Sequence, residues 1–168
     1  MRTRIRIGLV AAAALVVASC ADEVPTGPPF RTETTVRMLM ANMVDPAADL
    51  VWDAVGTIID YDGEDHWEPE TEEDWLSVRY GAMSLVEAGN LLMMDTRARD
   101  EEQWILLTEG MMDAGALAFE AAVAQDADQL FALGETVYNS CNNCHMLYWV
   151  GDIDRGRATE ASPDGPAP

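Results

Sequence analysis

Apolar and small residues recur three and four positions apart in four separate stretches of the chain, a spacing that places them on one face of a helix. In the first two stretches these residues are Val36, Met40, Met43, Ala47, Leu50 and Ala54, and then Trp75, Val78, Ala82, Leu85, Gly89 and Leu92. In the last two they are Trp104, Leu107, Met111, Ala114, Ala118 and Ala121, and then Ala127, Leu130, Gly134, Val137, Cys141, Cys144 and Tyr148. The pattern predicts four amphipathic helices.

Residues around these stretches mark where the helices begin and bend. Pro46 interrupts the first stretch, so we expect a kink or a short break there, because proline cannot continue the helical hydrogen bonds. Thr71, with Asp74 three residues later, forms a near capping box before the second stretch, and the acidic residues 100–102 favour a helix start before the third. Four such helices with mostly short connections predict an all-α fold, an antiparallel four-helix bundle.

The beginning of the chain has the composition of an export signal. Three arginines precede an apolar run that is too short to span a bilayer permanently, which is typical of a signal peptide. Small residues lead from this run into Cys20, as in a bacterial lipobox, so we interpret residues 1–19 as a lipoprotein signal peptide and Cys20 as the lipidation site. Ordinary cleavage after Ala21 is the alternative.

The remaining chain divides by composition into three parts. Residues 20–31 contain three prolines and are interpreted as anchor and tether. Residues 32–150 hold the four helical stretches and form the predicted domain. Residues 151–168 are rich in glycine, proline and charge, and we expect a disordered tail because they have too few apolar side chains to pack.

The chain is strongly acidic. It has 30 acidic residues against ten basic ones and a formal charge of −20; without residues 1–19, seven arginines remain against all 30 acids, a formal charge of −23. This charge makes nucleic acid a poor partner. It favours either a highly solvated surface or docking to a redox partner protein with a basic face.

The longest and most acidic connection, residues 60–70, follows the first helical stretch. Its carboxylates lack the ordered spacing and the terminal glutamate of an EF-hand, so we do not expect a calcium loop. Neither this connection nor any other segment has the apolar alternation that would predict a strand. His66 is therefore expected to be an exposed loop histidine.

The sequence Cys141-Asn142-Asn143-Cys144-His145 is a complete C-x-x-C-H motif, the pattern of c-type haem attachment. Positions i, i+3 and i+4 share one helical face, so two thiols can bond the two vinyl groups while the adjacent imidazole reaches the iron. A thioredoxin-like redox pair is the alternative, but it normally lies at a strand-to-helix junction. A zinc site is disfavoured because the chain has only two histidines and no second cysteine pair.

Four helices with this motif near the end of the last one, followed three residues later by Tyr148, resemble the cytochrome c prime group of bacterial c-type cytochromes and its low-spin relatives. The resemblance covers about residues 32–149, and the segments 35–56 and 75–92 also look similar to bacterial cytochromes of this type. Members commonly carry a basic residue directly after the aromatic, whereas this chain has Trp149.

The resemblance implies one covalent haem c per chain, with His145 as the fifth iron ligand. In electron-carrying relatives a methionine of the first helix is the sixth ligand, and Met40 is the preferred candidate because the helical pattern turns it inward. Met43 and an open iron site are the alternatives; a relation of four residues from Arg37, frequent in the family, would select Ala41 and leave the site open. A second imidazole from His66 is the least favoured.

Two further side chains are candidate haem contacts. Arg37 either pairs with a haem propionate or is a surface residue. Tyr148 packs against the macrocycle or the protein core.

These expectations lead to three functional hypotheses, none of them an enzyme, because no acid, base or nucleophile constellation surrounds the motif. The first is a periplasmic, membrane-anchored one-electron carrier with a single haem. The second is a five-coordinate haem module that binds nitric oxide or carbon monoxide. The third is a cytochrome subunit of a larger redox complex. Dimers are common in the resembling family, so a homodimer is left open.

Overall fold

The computed structural model describes residues 29–150, and within that range the chain is mostly helical. Its helices are α1 (Val36–Leu39), α2 (Asp45–Trp52), α3 (Glu72–Leu92), α4 (Gln103–Ala124) and α5 (Ala127–His145), and its strands are β1 (Gly56–Asp60) and β2 (Gly63–Trp67). Two π-helical turns, Met40–Val44 and Met146–Val150, follow α1 and α5. The predicted signal peptide, the lipidation site Cys20, the tether up to residue 28 and the tail of residues 151–168 lie outside the described residues.

The first predicted helix consists of α1, a π-helical turn and α2, which follow one another without a gap. Thr35 caps its start, with the hydroxyl accepting the Met38 N–H at 3.2 Å. The π-helical turn ends directly before α2, where the Asp45 N–H bonds to the Met40 carbonyl, five residues back. The interruption expected at Pro46 is therefore a change of hydrogen-bond register and not a gap in the helix. The change of register accommodates Pro46, which has no backbone N–H to donate.

The π-helical turn also changes which residues of α2 are buried. A turn with an extra residue rotates the following helix away from the face that a continuous three-and-four spacing predicts. Ala48 and Val51 are each 2% exposed, whereas Leu50 is 44% exposed. The inward position predicted for Leu50 is therefore wrong.

Between α2 and α3 the chain forms an antiparallel hairpin, so the expectation that no segment is a strand is wrong. β1 pairs with β2 from Gly56 opposite Trp67 to Asp60 opposite Gly63. The Asp60 carboxylate accepts the N–H groups of Asp62 and Gly63 at 2.8 and 3.2 Å, and Gly63 adopts a φ of 145° that favours glycine. Most hairpin side chains are exposed, which explains why no apolar alternation marked the strands.

The starts of α3 and α4 follow the sequence signals closely. The Thr71 hydroxyl accepts the Asp74 N–H at 3.2 Å and the Asp74 carboxylate accepts the Thr71 N–H at 2.9 Å, so the predicted capping box is confirmed. The Asp100 carboxylate accepts the Trp104 N–H at 2.9 Å at the start of α4. At the other end of α4, Gln125 turns the chain with a φ of 53°.

α3 and α4 form the centre of the fold, because α3 packs against α2 and α4, and α4 packs against α3 and α5. Glycine lets the helices approach: a Cβ added to Gly81 of α3 would lie 2.5 Å from the Ala47 carbonyl oxygen of α2. Every predicted inward position of α3 is buried, and on α4 only Leu107 is partly exposed. Within residues 29–150, none of the helices has the length and apolar character needed to cross a bilayer.

Candidate functional site

The C-x-x-C-H motif occupies the last turns of α5, immediately before the second π-helical turn. Cys141, Cys144 and His145 are half-buried, and neither thiol is in a disulfide. Because the segment is helical through His145, the two thiols and the imidazole lie along one side of the helix, as the attachment chemistry needs. The predicted helical setting of the motif is therefore confirmed.

The surroundings of both thiols raise their pKa. Burial raises the pKa of Cys144 to about 11, with Cys141 nearby as a second cause. Burial also raises the pKa of Cys141, and the negative charge of Asp45 raises it further. A catalytic redox cysteine needs a lowered pKa, typically at a helix N-terminus, whereas these thiols lie at a helix C-terminus. This environment speaks against the thioredoxin-like alternative.

The side of α5 that carries the motif is not closed over by protein. Val137 is fully buried, but no side chain from Tyr138 to Trp149 is buried, although this segment is as rich in apolar and aromatic residues as the first half of the helix. Two free thiols three residues apart, an adjacent imidazole and an incompletely covered helical face are what covalent haem attachment requires. The residues present therefore fit a haem c.

Tyr148 joins the end of α5 to the start of α4. Its ring meets the Trp104 ring edge-on at a centroid distance of 4.9 Å, and its hydroxyl donates to the Asp100 carboxylate. Trp104 is buried and donates its indole N–H to the Leu92 carbonyl at 2.8 Å. Tyr148 thus packs against the protein core, one of the two expectations for it, and the same contacts fix the position of the π-helical turn that follows α5.

Aromatic contact also reaches the imidazole itself. The rings of His145 and Trp149 meet edge-on at a centroid distance of 5.2 Å, one helical turn apart. Trp149 occupies the position where the resembling family commonly has a basic residue. At this position the chain therefore has an aromatic ring in contact with the imidazole of His145, and no positive charge.

The methionines of the first helix are arranged as the pattern predicted, but a leucine is buried more deeply. Met40 and Met43 are partly buried and pack against the core, and Met38 is 52% exposed. Leu39 is 6% exposed and is the buried residue of α1. Ala41, the position four residues after Arg37, is exposed. Met40 and Met43 therefore both lie on the inner side of the π-helical turn, where the sixth iron ligand was expected.

The two remaining candidate residues for haem binding, Arg37 and His66, are exposed. Arg37 is an exposed residue of α1. His66 is exposed as expected, but on β2, where its Nδ1 lies 3.0 Å from the Thr57 hydroxyl and its Nε2 lies 3.7 Å from a Glu68 carboxylate oxygen. These contacts keep His66 in the hairpin.

Sequence reasoning missed the roles of two residues that lie between α3 and α4. Arg97, in the connection between α3 and α4, is 7% exposed, and nothing in the local sequence marks it as buried. Asp100 was recognised as an acid before a helix, but its bond to Tyr148 spans 48 residues and has no local signal.

Within residues 29–150, no three histidine, cysteine, aspartate or glutamate side chains are grouped as metal ligands. Two open clefts lie around Pro69, in the connection from β2 to α3, and are lined otherwise by residues of the helices and their ends; the residues of the C-x-x-C-H motif do not line them. The motif therefore lies away from these clefts, on the incompletely covered face of α5.

No protein-family model matches this chain, and no curated protein or solved structure is detectably similar to it.

Proposed function

We propose that this protein is a c-type cytochrome of the cytochrome c prime group that carries one covalent haem c and transfers single electrons. The observation that carries the proposal is the motif from Cys141 to His145 at the end of α5, with free, half-buried thiols on a helical face that protein does not close. The proposal extends to the architecture: the first helix, α3, α4 and α5 form an antiparallel four-helix bundle, with the hairpin as an addition.

Each residue has one task in this proposal. Cys141 and Cys144 hold the porphyrin through thioethers, His145 ligates the iron, and Met40 supplies a neutral sulfur from the first helix. Haem bound in this way supplies a one-electron iron couple whose potential is raised by the methionine. Tyr148, fixed by Trp104 and Asp100, limits movement of the helix that carries His145.

Covalent attachment is tested on the holoprotein in denaturing gels stained for haem peroxidase activity. We expect the band to keep its haem, and Cys141→Ser combined with Cys144→Ser to remove it. Ser140→Ala is the matched control, because Ser140 neighbours Cys141 and bonds only to the Val137 carbonyl at 2.7 Å and weakly to the thiol. Loss of haem from the wild-type protein on denaturation contradicts the proposal.

A five-coordinate, gas-binding haem is the second candidate, and the burial of Leu39 favours it. An inward leucine beside the haem would leave the iron open to nitric oxide or carbon monoxide, whereas Met40 is only partly buried. Ferrous spectra with and without carbon monoxide separate the two. A low-spin spectrum that becomes high-spin in Met40→Ala, but not in the exposed control Met38→Ala, supports electron transfer. A high-spin wild type that binds carbon monoxide readily supports the gas-binding module.

The proposed location is the periplasmic face of a membrane, through lipid on Cys20. In this setting the acidic surface would meet a redox partner with a basic face, either transiently or within a larger redox complex. Cys20→Ala should release the protein from membranes or block its processing. A wild-type protein that is soluble and begins at Asp22 contradicts the lipid anchor without affecting the haem.

A further inference from the structure

Arg97 is the one charged residue that is buried within residues 29–150. Its Nε donates to the Thr34 carbonyl at 3.1 Å, and its Nη1 donates to the Leu91 carbonyl at 3.1 Å and to the Met94 thioether at 2.7 Å. All three acceptors are neutral. Among the described residues, no carboxylate lies within ion-pair distance of the guanidinium, and Nη2 has no hydrogen-bond acceptor.

This arrangement is unusual for a buried cation. Removing a charge from water is costly unless the charge is paired, and buried arginines normally meet a carboxylate or phosphate. The three neutral bonds fix the plane of the guanidinium and leave Nη2, with two N–H groups, without an acceptor in the described part of the chain. Residues 29–150 include 24 acidic residues, so the lack of a carboxylate among them at this point is not due to a shortage of acids.

Arg97 bonds to the segment directly before α1, and it lies in the connection whose Asp100 binds Tyr148. Thr34 directly precedes the cap of α1, and Met40, the first residue after α1, lies about 8 Å along the helix from that cap at 1.5 Å per residue. Asp100, in the same connection as Arg97, bonds Tyr148, and Tyr148 follows His145 by about one helical turn. The guanidinium therefore lies at the end of the fold where the haem is proposed.

Resting on the proposed function, we infer that Arg97 is the partner of a haem propionate, with Nη2 donating to the propionate carboxylate. A propionate is an anion that the polypeptide does not supply, and it arrives with the cofactor. The bond would compensate the charge of Arg97 and connect the cofactor to both α1 and the end of α3. Arg97, buried and pre-oriented, fits this role independently of the exposed Arg37.

The test compares Arg97→Gln and Arg97→Lys with Arg79→Gln in the holoprotein. Arg79 is the matched control, since its guanidinium is largely buried too but already pairs with Glu72 near the start of α3. The readouts are the propionate bending band in resonance Raman spectra, the reduction potential and haem retention in denaturing gels. Haem retention in gels tests the proposed function alone. The propionate band and the reduction potential test the Arg97 contact.

We expect Arg97→Gln to keep its haem, to shift the propionate band and to favour the ferric state about tenfold, a fall of about 59 mV for one electron, because a cation near the iron is lost. Arg79→Gln should leave the band unchanged and alter the equilibrium less than twofold. A haem-loaded Arg97→Gln protein with a wild-type band and potential overturns the inference, while the cytochrome proposal stands. A wild type without covalent haem overturns both.

If Arg97→Gln does not accumulate, Arg97→Lys tests the propionate contact instead. The lysine keeps the positive charge, but its ammonium cannot reproduce the planar fork of the guanidinium. A shifted propionate band in Arg97→Lys supports the contact. An unshifted band overturns it.

Discussion

The inward faces of α3 and α4 are covered by other helices, whereas the inward face of α5 is covered only in part. All four sequences show the same spacing of apolar residues. On α3 every predicted inward position is buried, but on α5 only Leu130 and Val137 are, and on the first helix only Ala47 is. On the first helix the π-helical turn moves burial to neighbouring positions such as Ala48 and Val51, whereas on α5 the part of the face that carries His145 stays half-exposed.

The difference shows that one periodic pattern can serve two kinds of contact. On α3 and α4 it meets other helices, and glycines such as Gly81 and Gly115 bring the backbones close together. On α5 the same pattern contains Cys141, Cys144 and Tyr148, which remain half-exposed to the solvent. A face with helical periodicity that protein leaves partly uncovered is a candidate for cofactor binding, and here that face carries the attachment motif.

The largest expected effect comes from exchanging a tryptophan in each region. Trp104→Ala removes a 3% exposed ring and its bond to Leu92, and should lower the free energy of unfolding by about 3–5 kcal/mol. Trp149→Ala removes a 62% exposed ring and should cost less than about 1 kcal/mol. Urea denaturation of both holoproteins measures the difference. Equal losses would mean that the end of α5 is as tightly packed as the centre.

A glycine exchange tests the same contrast with a smaller effect. In Gly81→Ala the new methyl group would meet the Ala47 carbonyl oxygen at 2.5 Å and the Leu50 Cβ at 2.7 Å, so α2 and α3 must separate, at about 1–3 kcal/mol. Gly134→Ala on α5 has nothing within 4 Å and should stabilise the helix by about 0.5–1 kcal/mol. Thermal denaturation should move in opposite directions for the two variants. A stabilised Gly81→Ala protein would contradict the close approach.

The helix caps of the two regions provide a third comparison. Thr71 caps α3 through a reciprocal pair of bonds with Asp74, whereas Thr35 caps α1 through a single bond to Met38. Thr71→Ala should cost about 1 kcal/mol, and Thr35→Ala less, because Thr35 makes one capping bond and has no reciprocal partner such as Asp74. Paired urea titrations measure both. A larger loss at Thr35 would show that α1 depends on its cap more than α3 does.

The smallest effect concerns the contact that links the two regions. Bonds from the Trp104 N–H and the Tyr148 hydroxyl lower the pKa of Asp100 below its ordinary 3.8. The charged carboxylate therefore stabilises the folded state above about pH 4, and this contribution is lost as the pH falls through the lowered value. Asp100→Asn should be less stable than wild type at pH 7, and the gap should narrow below pH 4.

Asp95→Asn, an exposed carboxylate in the same connection, is the control for this pH dependence. Urea denaturation at pH 7 and pH 3 should show a narrowing gap for Asp100→Asn alone. A gap of constant size would mean that the Asp100 charge does not contribute through these bonds.

The sequence determined the features that depend on neighbouring residues. The helical periodicity of α3 and α4, the capping box at Thr71 and the helical setting of Cys141, Cys144 and His145 depend on local sequence, and each was found where the pattern placed it. The hairpin escaped prediction because its side chains are exposed, so its strands are held by backbone pairing and a turn at Gly63 and need no apolar alternation. The extra residue of the π-helical turn rotates Leu50 out of its predicted inward position. This change of hydrogen-bond register leaves no mark in the spacing of apolar residues.

Only the tertiary structure decided which charged side chains and which helix faces are buried by other segments of the chain. Arg97 is one of ten arginines and has no distinguishing neighbours in sequence, yet it alone is buried among the charged residues of 29–150, because its partners Thr34 and Leu91 lie on different segments. Tyr148 finds Asp100 for the same reason. Contacts between distant segments depend on how the helices pack, and helical spacing alone does not specify that packing.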